Sequence, residues 1–196
     1  AVSDLTVIDT MLNRMRTKDY LSTGLYQKDT GDVDQCFVYC LLNSLGAAAD
    51  MQYDVSQGYT SGGWIQTLTA EDGTVYQTGI TDLRGSFVPS MGLGTPVDEV
   101  SDEVNNAITQ SILNGQDVCI QIGYSKLGGG DYSAPHWVLI SDWTGDLSTS
   151  TFFDPYNESG LAAEMTLDEL GYKYGTGNGA SVGLIREISL TSTENS

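Results

Sequence analysis

From residue 116 onward the chain reads as four short runs rich in β-branched and aromatic residues: QDVCIQIGYS, PHWVLISDW, STSTFFDPY and ASVGLIREISL. Each run is bounded by turn-forming residues, the mark of a strand. Consecutive strands joined by short links pair with neighbours running the opposite way, because parallel strands need a long crossover between them. An antiparallel sheet is therefore predicted for the C-terminal half. KLGGGDYSA joins the first two runs as a flexible hairpin connection. MTLDELGYKYG, before the last run, reads as a short helix with Thr166 as N-cap and Glu169 in the capping-box position.

The N-terminal half has a different period. Leu5, Ile8, Met11, Leu12 and Met15 fall at helical spacing and predict a helix over 3–20. A polar loop, TGLYQKDTGDVDQ, leads into CFVYCLLNSLGAAADM, which reads as a helix from about Asp34 to about Gly46. That helix is apolar on most faces, which places it at the centre of the fold. Residues 51–98 are rich in Gly, Thr and Tyr, with short helices expected over Trp64–Leu68 and Ile80–Gly85. VDEVSDEVNNAITQSILNG predicts an amphipathic helix ending at Gly115, with Val97, Val100, Val104, Ile108 and Ile112 on its apolar face. No repeat or linker interrupts the chain, so 1–196 is expected to be a single α+β domain.

Composition narrows the partners. The net charge is −18, from 26 acidic and 8 basic residues. Phosphate backbones and anionic membranes both require basic surface, so neither nucleic acid nor lipid is an expected partner; a neutral or cationic protein or peptide is. No run of roughly 18 apolar residues is present to insert into a membrane. The first residues, AVSDLTVIDTMLNRM, have neither a signal peptide's pattern nor an initiator Met. The expectation is a mature secreted form or an excised domain of a longer extracellular protein. Oligomeric state is not encoded in any of these features.

The chain has three cysteines, two of them four residues apart on the apolar helix, which is no disulfide framework. Cys36 lies where a polar loop enters that helix. Helix N-termini present free N–H groups and partial positive charge, a setting that favours a nucleophilic thiolate and can stabilise an oxyanion. Cys40, one turn further in, is expected to be more deeply buried and less reactive.

His136 is the single histidine and stands at the head of the run PHWVLISDW. One histidine excludes a zinc site built on several, and the cysteine spacing supplies no zinc motif. Asp29, Asp32 and Asp34 in DTGDVD lack EF-hand spacing. No metal and no cofactor is expected. Asp154 closes the run TFFDPYN; if 137–142 and 150–154 pair as a hairpin, it arrives beside His136. A carboxylate bonded to one ring nitrogen leaves the other free to take a thiol proton. Trp64, Trp137, Trp143 and nearby tyrosines such as Tyr132 divide between core packing and a substrate groove, with Trp64, Trp137 and Tyr132 the cleft candidates.

The order Cys, His about a hundred residues on, and Asp 18 residues later resembles the papain-like cysteine peptidase superfamily. Within it, HWVLISDW and TFFDPYN are similar to bacterial bacteriocin-leader-processing peptidases and to secreted cysteine protease effectors. The resemblance covers roughly 28–45 and 117–190. It implies a papain-like fold, a central helix bearing the nucleophile on an antiparallel sheet that bears the base and its partner. It also implies amide hydrolysis through a thioester on Cys36. The family's oxyanion glutamine stands about six residues before the cysteine, where this chain has Thr30; Gln27 and Gln35 are the candidates instead. The same triad would serve a glutamine deamidase, an acyltransferase or a cell-wall amidase, and a degenerate fold would leave a non-catalytic extracellular binding domain.

Overall fold

The computed structural model describes residues 20–24, 26–30, 36–45, 51–52, 59–60, 63–64, 67–70, 73–83, 95–96, 99–125, 132–158, 160–173 and 180–193. The helix expected over 3–20 lies outside them, as does the KLGGG part of the hairpin connection. In order, the elements are α1 Tyr20–Thr23, α2 Gln27–Thr30, α3 Cys36–Leu45, β1 Met51–Gln52, β2 Tyr59–Thr60, β3 Gly63–Trp64, β4 Thr67–Ala70 and β5 Val75–Asp82. They continue with β6 Thr95–Pro96, α4 Asp102–Leu113, β7 Asp117–Ser125, β8 Tyr132–Asp142, β9 Thr151–Phe153, α5 Leu167–Lys173 and β10 Ala180–Thr193. The chain is α+β.

Among the described residues every strand pairing is antiparallel, and the main sheet runs β1-β4-β5-β10-β7-β8-β9, with β6 also paired to β10. The C-terminal strand thus lies in the middle of the sheet, flanked by β5 and β7. Side chains alternate across a strand, and here both faces are apolar. Val118, Ile120 and Ile122 of β7, Val138 and Ile140 of β8, and Phe152 of β9 join one core with Ile108 and Ile112 of α4 and Leu167 and Leu170 of α5. Cys119, Trp137, Leu139 and Phe153 point the other way and pack with Cys36, Phe37, Cys40 and Leu41 of α3. Each such fully buried aliphatic or aromatic side chain contributes about 1.5–3 kcal/mol.

The apolar helix is where its pattern placed it. Phe37, Tyr39, Cys40 and Leu41 are all 0–1% exposed. Its polar residues are satisfied: Asn43 Nδ2 donates to Tyr39 O at 2.8 Å, and Ser44 Oγ donates to the Asp117 carboxylate. The α5 capping box also forms, with Glu169 N donating to Thr166 Oγ1 and Thr166 N to Glu169 Oε1, both at 3.2 Å.

Two expectations are corrected. In place of the short helices expected over Trp64–Leu68 and Ile80–Gly85, the described residues of both stretches lie in strands β3, β4 and β5 or, for Leu83, a turn; residues 65–66 and 84–85 lie outside the described residues. VYQTGITD is rich in β-branched residues and pairs along its whole length with β10, while Gly73, at φ +87°, makes the tight turn from β4. The amphipathic helix begins at Asp102, because Ser101 caps it by accepting from Val104 N, and it ends before Gly115 at φ +81°. Among the described residues no helix is long and apolar enough to cross a membrane.

Candidate active site

Three separate elements supply the site. Cys36 is the first residue of α3, where the terminal N–H groups lack helical partners. His136 comes from β8. The sequence placed it at a strand head, but β8 already begins at Tyr132 and His136 lies opposite Ile122 of β7. The register between these strands slips between Ile122 and Tyr124, so β8 holds one extra residue between Ser133 and His136. Pro135, which has no N–H for a ladder, lies within that bulge.

Asp154 follows the edge strand β9. Its position comes from the hairpin register: Leu139 faces Phe153 and Ile140 faces Phe152, which carries the next residue toward the start of the β8 core segment. His136 Nε2 then donates to Asp154 Oδ1 at 2.6 Å. The direction is fixed, because a carboxylate only accepts. The other ring nitrogen, Nδ1, takes no part in that bond, and Cys36 is among the groups whose charge acts on the His136 ring. The fold thus brings Cys36, His136 and Asp154 together, with a hydrogen bond between the last two.

The carboxylate is held on every side. Its side chain is 0% exposed. Oδ1 also accepts from Tyr156 N at 2.9 Å, and Oδ2 accepts from Lys173 Nζ at 2.9 Å. Lys173 Nζ donates as well to Asn157 Oδ1 at 2.8 Å, and Asn157 Nδ2 donates to Asp154 O at 2.9 Å. The Tyr156 ring meets the His136 ring edge-on at 6.4 Å, with Lys28 Nζ 4.8 Å above its centroid.

Burial opposes a charged imidazole, since it removes hydration. At His136 that effect is outweighed by the hydrogen bond and negative charge of Asp154 and by the influence of Cys36, which together raise its pKa to about 9. Burial pushes Cys40 well above the ordinary thiol value, and neighbouring Cys119 and Cys36 add to the shift. Burial likewise raises Cys119, against the opposing pull of Arg186. All three cysteines are free.

Of the remaining sequence candidates, Trp137 is corrected. It is 2% exposed, packs edge-on against Phe37 at 4.9 Å and lies under the Arg186 guanidinium at 5.3 Å, which makes it core beneath the site. Gln27 opens α2 and Trp64 closes β3, while Tyr132 opens β8; the side chains of these three lie outside the described residues. Gln35 lies wholly outside them. Sequence reasoning missed Lys173, Tyr156 and Asn157. Tyr156 and Asn157 sit within the same DPYN turn as Asp154, so adjacency could have suggested them. Lys173 carries no such signal.

No protein-family model, curated protein or solved structure matches the chain.

Proposed function

We propose that this chain is a papain-like cysteine hydrolase, a secreted protease that cleaves amide bonds through Cys36, His136 and Asp154. The observation that supports it is the hydrogen bond from His136 to the buried Asp154, with Cys36 acting on the same ring from the first residue of a buried helix. In this reading His136 takes the thiol proton of Cys36 as the sulfur attacks. The sulfur attacks the substrate carbonyl carbon, and the carbonyl electron pair moves onto oxygen. The positive end of the α3 dipole, with Gln27 or Gln35 as a further donor, stabilises that oxyanion. His136 gives its proton to the leaving amine, the C–N bond breaks, and an acyl thioester remains on Cys36. Neutral His136 then removes a proton from water, which attacks the thioester. Collapse releases the acid, and the departing sulfur takes the proton back from His136. Asp154 holds the ring in the tautomer that aims Nδ1 at sulfur throughout. The acidic composition favours a neutral or cationic peptide as substrate.

The test is alkylation with iodoacetamide at neutral pH followed by peptide mapping and assay against unfolded protein substrates. Rapid adduct formation confined to Cys36, with loss of peptide cleavage, supports the reading. Equal inertness of Cys36, Cys40 and Cys119 overturns it.

A further inference from the structure

The inner carboxylate is held from the opposite layer of the fold. α5 packs through Leu167 and Leu170 into the core on the face away from α3, yet its last residue, Lys173, reaches Asp154. The ammonium takes Oδ2 at 2.9 Å, leaving Oδ1 for His136 and Tyr156 N. Lys173 is also fixed by Asn157 Oδ1 at 2.8 Å and Tyr156 O at 3.5 Å, and its side chain is only 22% exposed. Resting on the hydrolase reading above, we propose that Lys173 is a positioning residue: it clamps the second oxygen of Asp154 and limits how strongly that carboxylate holds a proton on His136.

The physical argument has two parts. A carboxylate with one oxygen unclaimed can turn about its last torsion, and the bond to His136 would then be one option among several. Lys173, Tyr156 N and the Asn157 bridge remove that freedom. A carboxylate fully out of water also exerts its full field on its neighbours, and a cation about one hydrogen bond away offsets part of it. Among the described residues, the charged and titratable groups facing His136 include Asp154, Cys36 from α3 and the Tyr156 ring with Lys28 above it. Lys173 acts on it through Asp154. A Lys alone among these partners raises no barrier to the chemistry; its removal leaves Asp154 more strongly anionic, so His136 surrenders its proton less readily and the acylated enzyme lacks its base.

The single histidine makes this directly measurable. In 15N-labelled full-length protein the imidazole resonances belong to His136 alone, and their midpoint can be read without a substrate. Lys173→Met and Lys173→Gln are expected to move that midpoint upward by about one pH unit, while Lys173→Arg keeps it near the parent value. The basic limb of the Cys36 alkylation rate should move with it. An unchanged or lowered midpoint in Lys173→Met and Lys173→Gln overturns the proposal, as does a shift in Lys173→Arg as large as theirs. Failure of both neutral variants to fold also overturns it, by assigning the lysine to stability alone. The hydrolase reading fails separately, if parent Cys36 is no more reactive than Cys40 and Cys119 whatever the histidine titration shows.

Discussion

His136 and Asp154 stand 18 residues apart in the chain and 2.6 Å apart in the fold. Two strands and a tight connection produce that meeting. The Thr144–Ser150 turn between them is knitted by its own hydroxyls, with Ser150 Oγ donating to Asp146 O at 2.7 Å and accepting from Thr144 N at 3.0 Å. Leu147 anchors the turn in the core and donates its N–H to Asn105 Oδ1 of α4 at 3.2 Å. The bond between base and orienting carboxylate is therefore set by a hairpin with little room to slide, since a one-residue slip would turn Phe152 and Phe153 to the wrong layers.

The first prediction concerns the charge at the end of the relay. Asp154→Asn keeps the shape but lets the amide offer either an acceptor or a donor to His136, so the useful tautomer is no longer enforced. Peptide hydrolysis should fall by roughly 10²–10⁴-fold, and alkylation of Cys36 near neutral pH should slow as well. Circular dichroism should show a retained fold. Activity within a factor of about two of the parent would remove Asp154 from the proposed mechanism.

The second prediction is a pH dependence of stability. The folded pKa of His136, about 9, lies above the ordinary histidine value of 6.5. A group whose pKa rises on folding contributes fully at pH below its unfolded value and loses that contribution as pH rises through the folded one. Stability should therefore decline between about pH 6.5 and 9, by an amount on the order of 3 kcal/mol from this group. His136→Gln should flatten that part of the curve. Urea denaturation at half-unit pH steps in both proteins measures it, and parallel curves would show that the histidine is not the source.

The third prediction separates the thiols. Cys40 and Cys119 are both 0% exposed, and burial pushes both thiols upward, so neither should react with iodoacetamide in the folded protein. Cys119 also donates weakly from Sγ to Arg186 O at 3.7 Å. Cys40→Ala and Cys119→Ala should each cost about 1–3 kcal/mol through the small cavity left, while Cys36 remains the labelled residue. Intact-mass spectra before and after unfolding give the count: one adduct in the folded parent and three in denaturant would match.

What could be read from the residues followed from how local each signal is. The strands after residue 116, the buried α3 and the α5 capping box rest on runs of adjacent residues, so pattern alone located them. β5 was missed because its partner, β10, lies at the other end of the chain, and Thr, Gly and Gln in VYQTGITD look like loop until that partner is in place. Cys36, His136 and Asp154 were legible as an ordered set with a hairpin register between the last two. Lys173 was not, because its role depends on how α5 docks against a turn from which it is separated by 19 positions. Trp137 was misassigned for the related reason that a strand's two faces look alike when both are buried.

The fourth prediction tests how the edge strand that carries Asp154 is held in place. Phe153 is fully buried between Tyr20, at 5.5 Å between ring centroids, and Tyr26, at 5.4 Å. Gly24 lies between those two tyrosines in the chain. A Cβ there would clash with Tyr20 O and come within 3.0 Å of the Phe153 ring. The ring could yield a little, but the carbonyl belongs to the backbone of α1 and cannot yield without moving Tyr20. Gly24→Ala should therefore destabilise the protein by about 2–4 kcal/mol, comparable to overpacking a tight core. The strain falls on the side of Phe153, next to Asp154, so the Cys36 alkylation rate should drop together with the melting temperature. Gly115→Ala offers the contrast, since an added Cβ there meets nothing within 4 Å and only the φ of +81° resists it. That variant should lose about 1 kcal/mol and leave Cys36 reactivity unchanged. If both substitutions proved equally mild, the Tyr20–Phe153–Tyr26 stack would not be what secures the β9 edge.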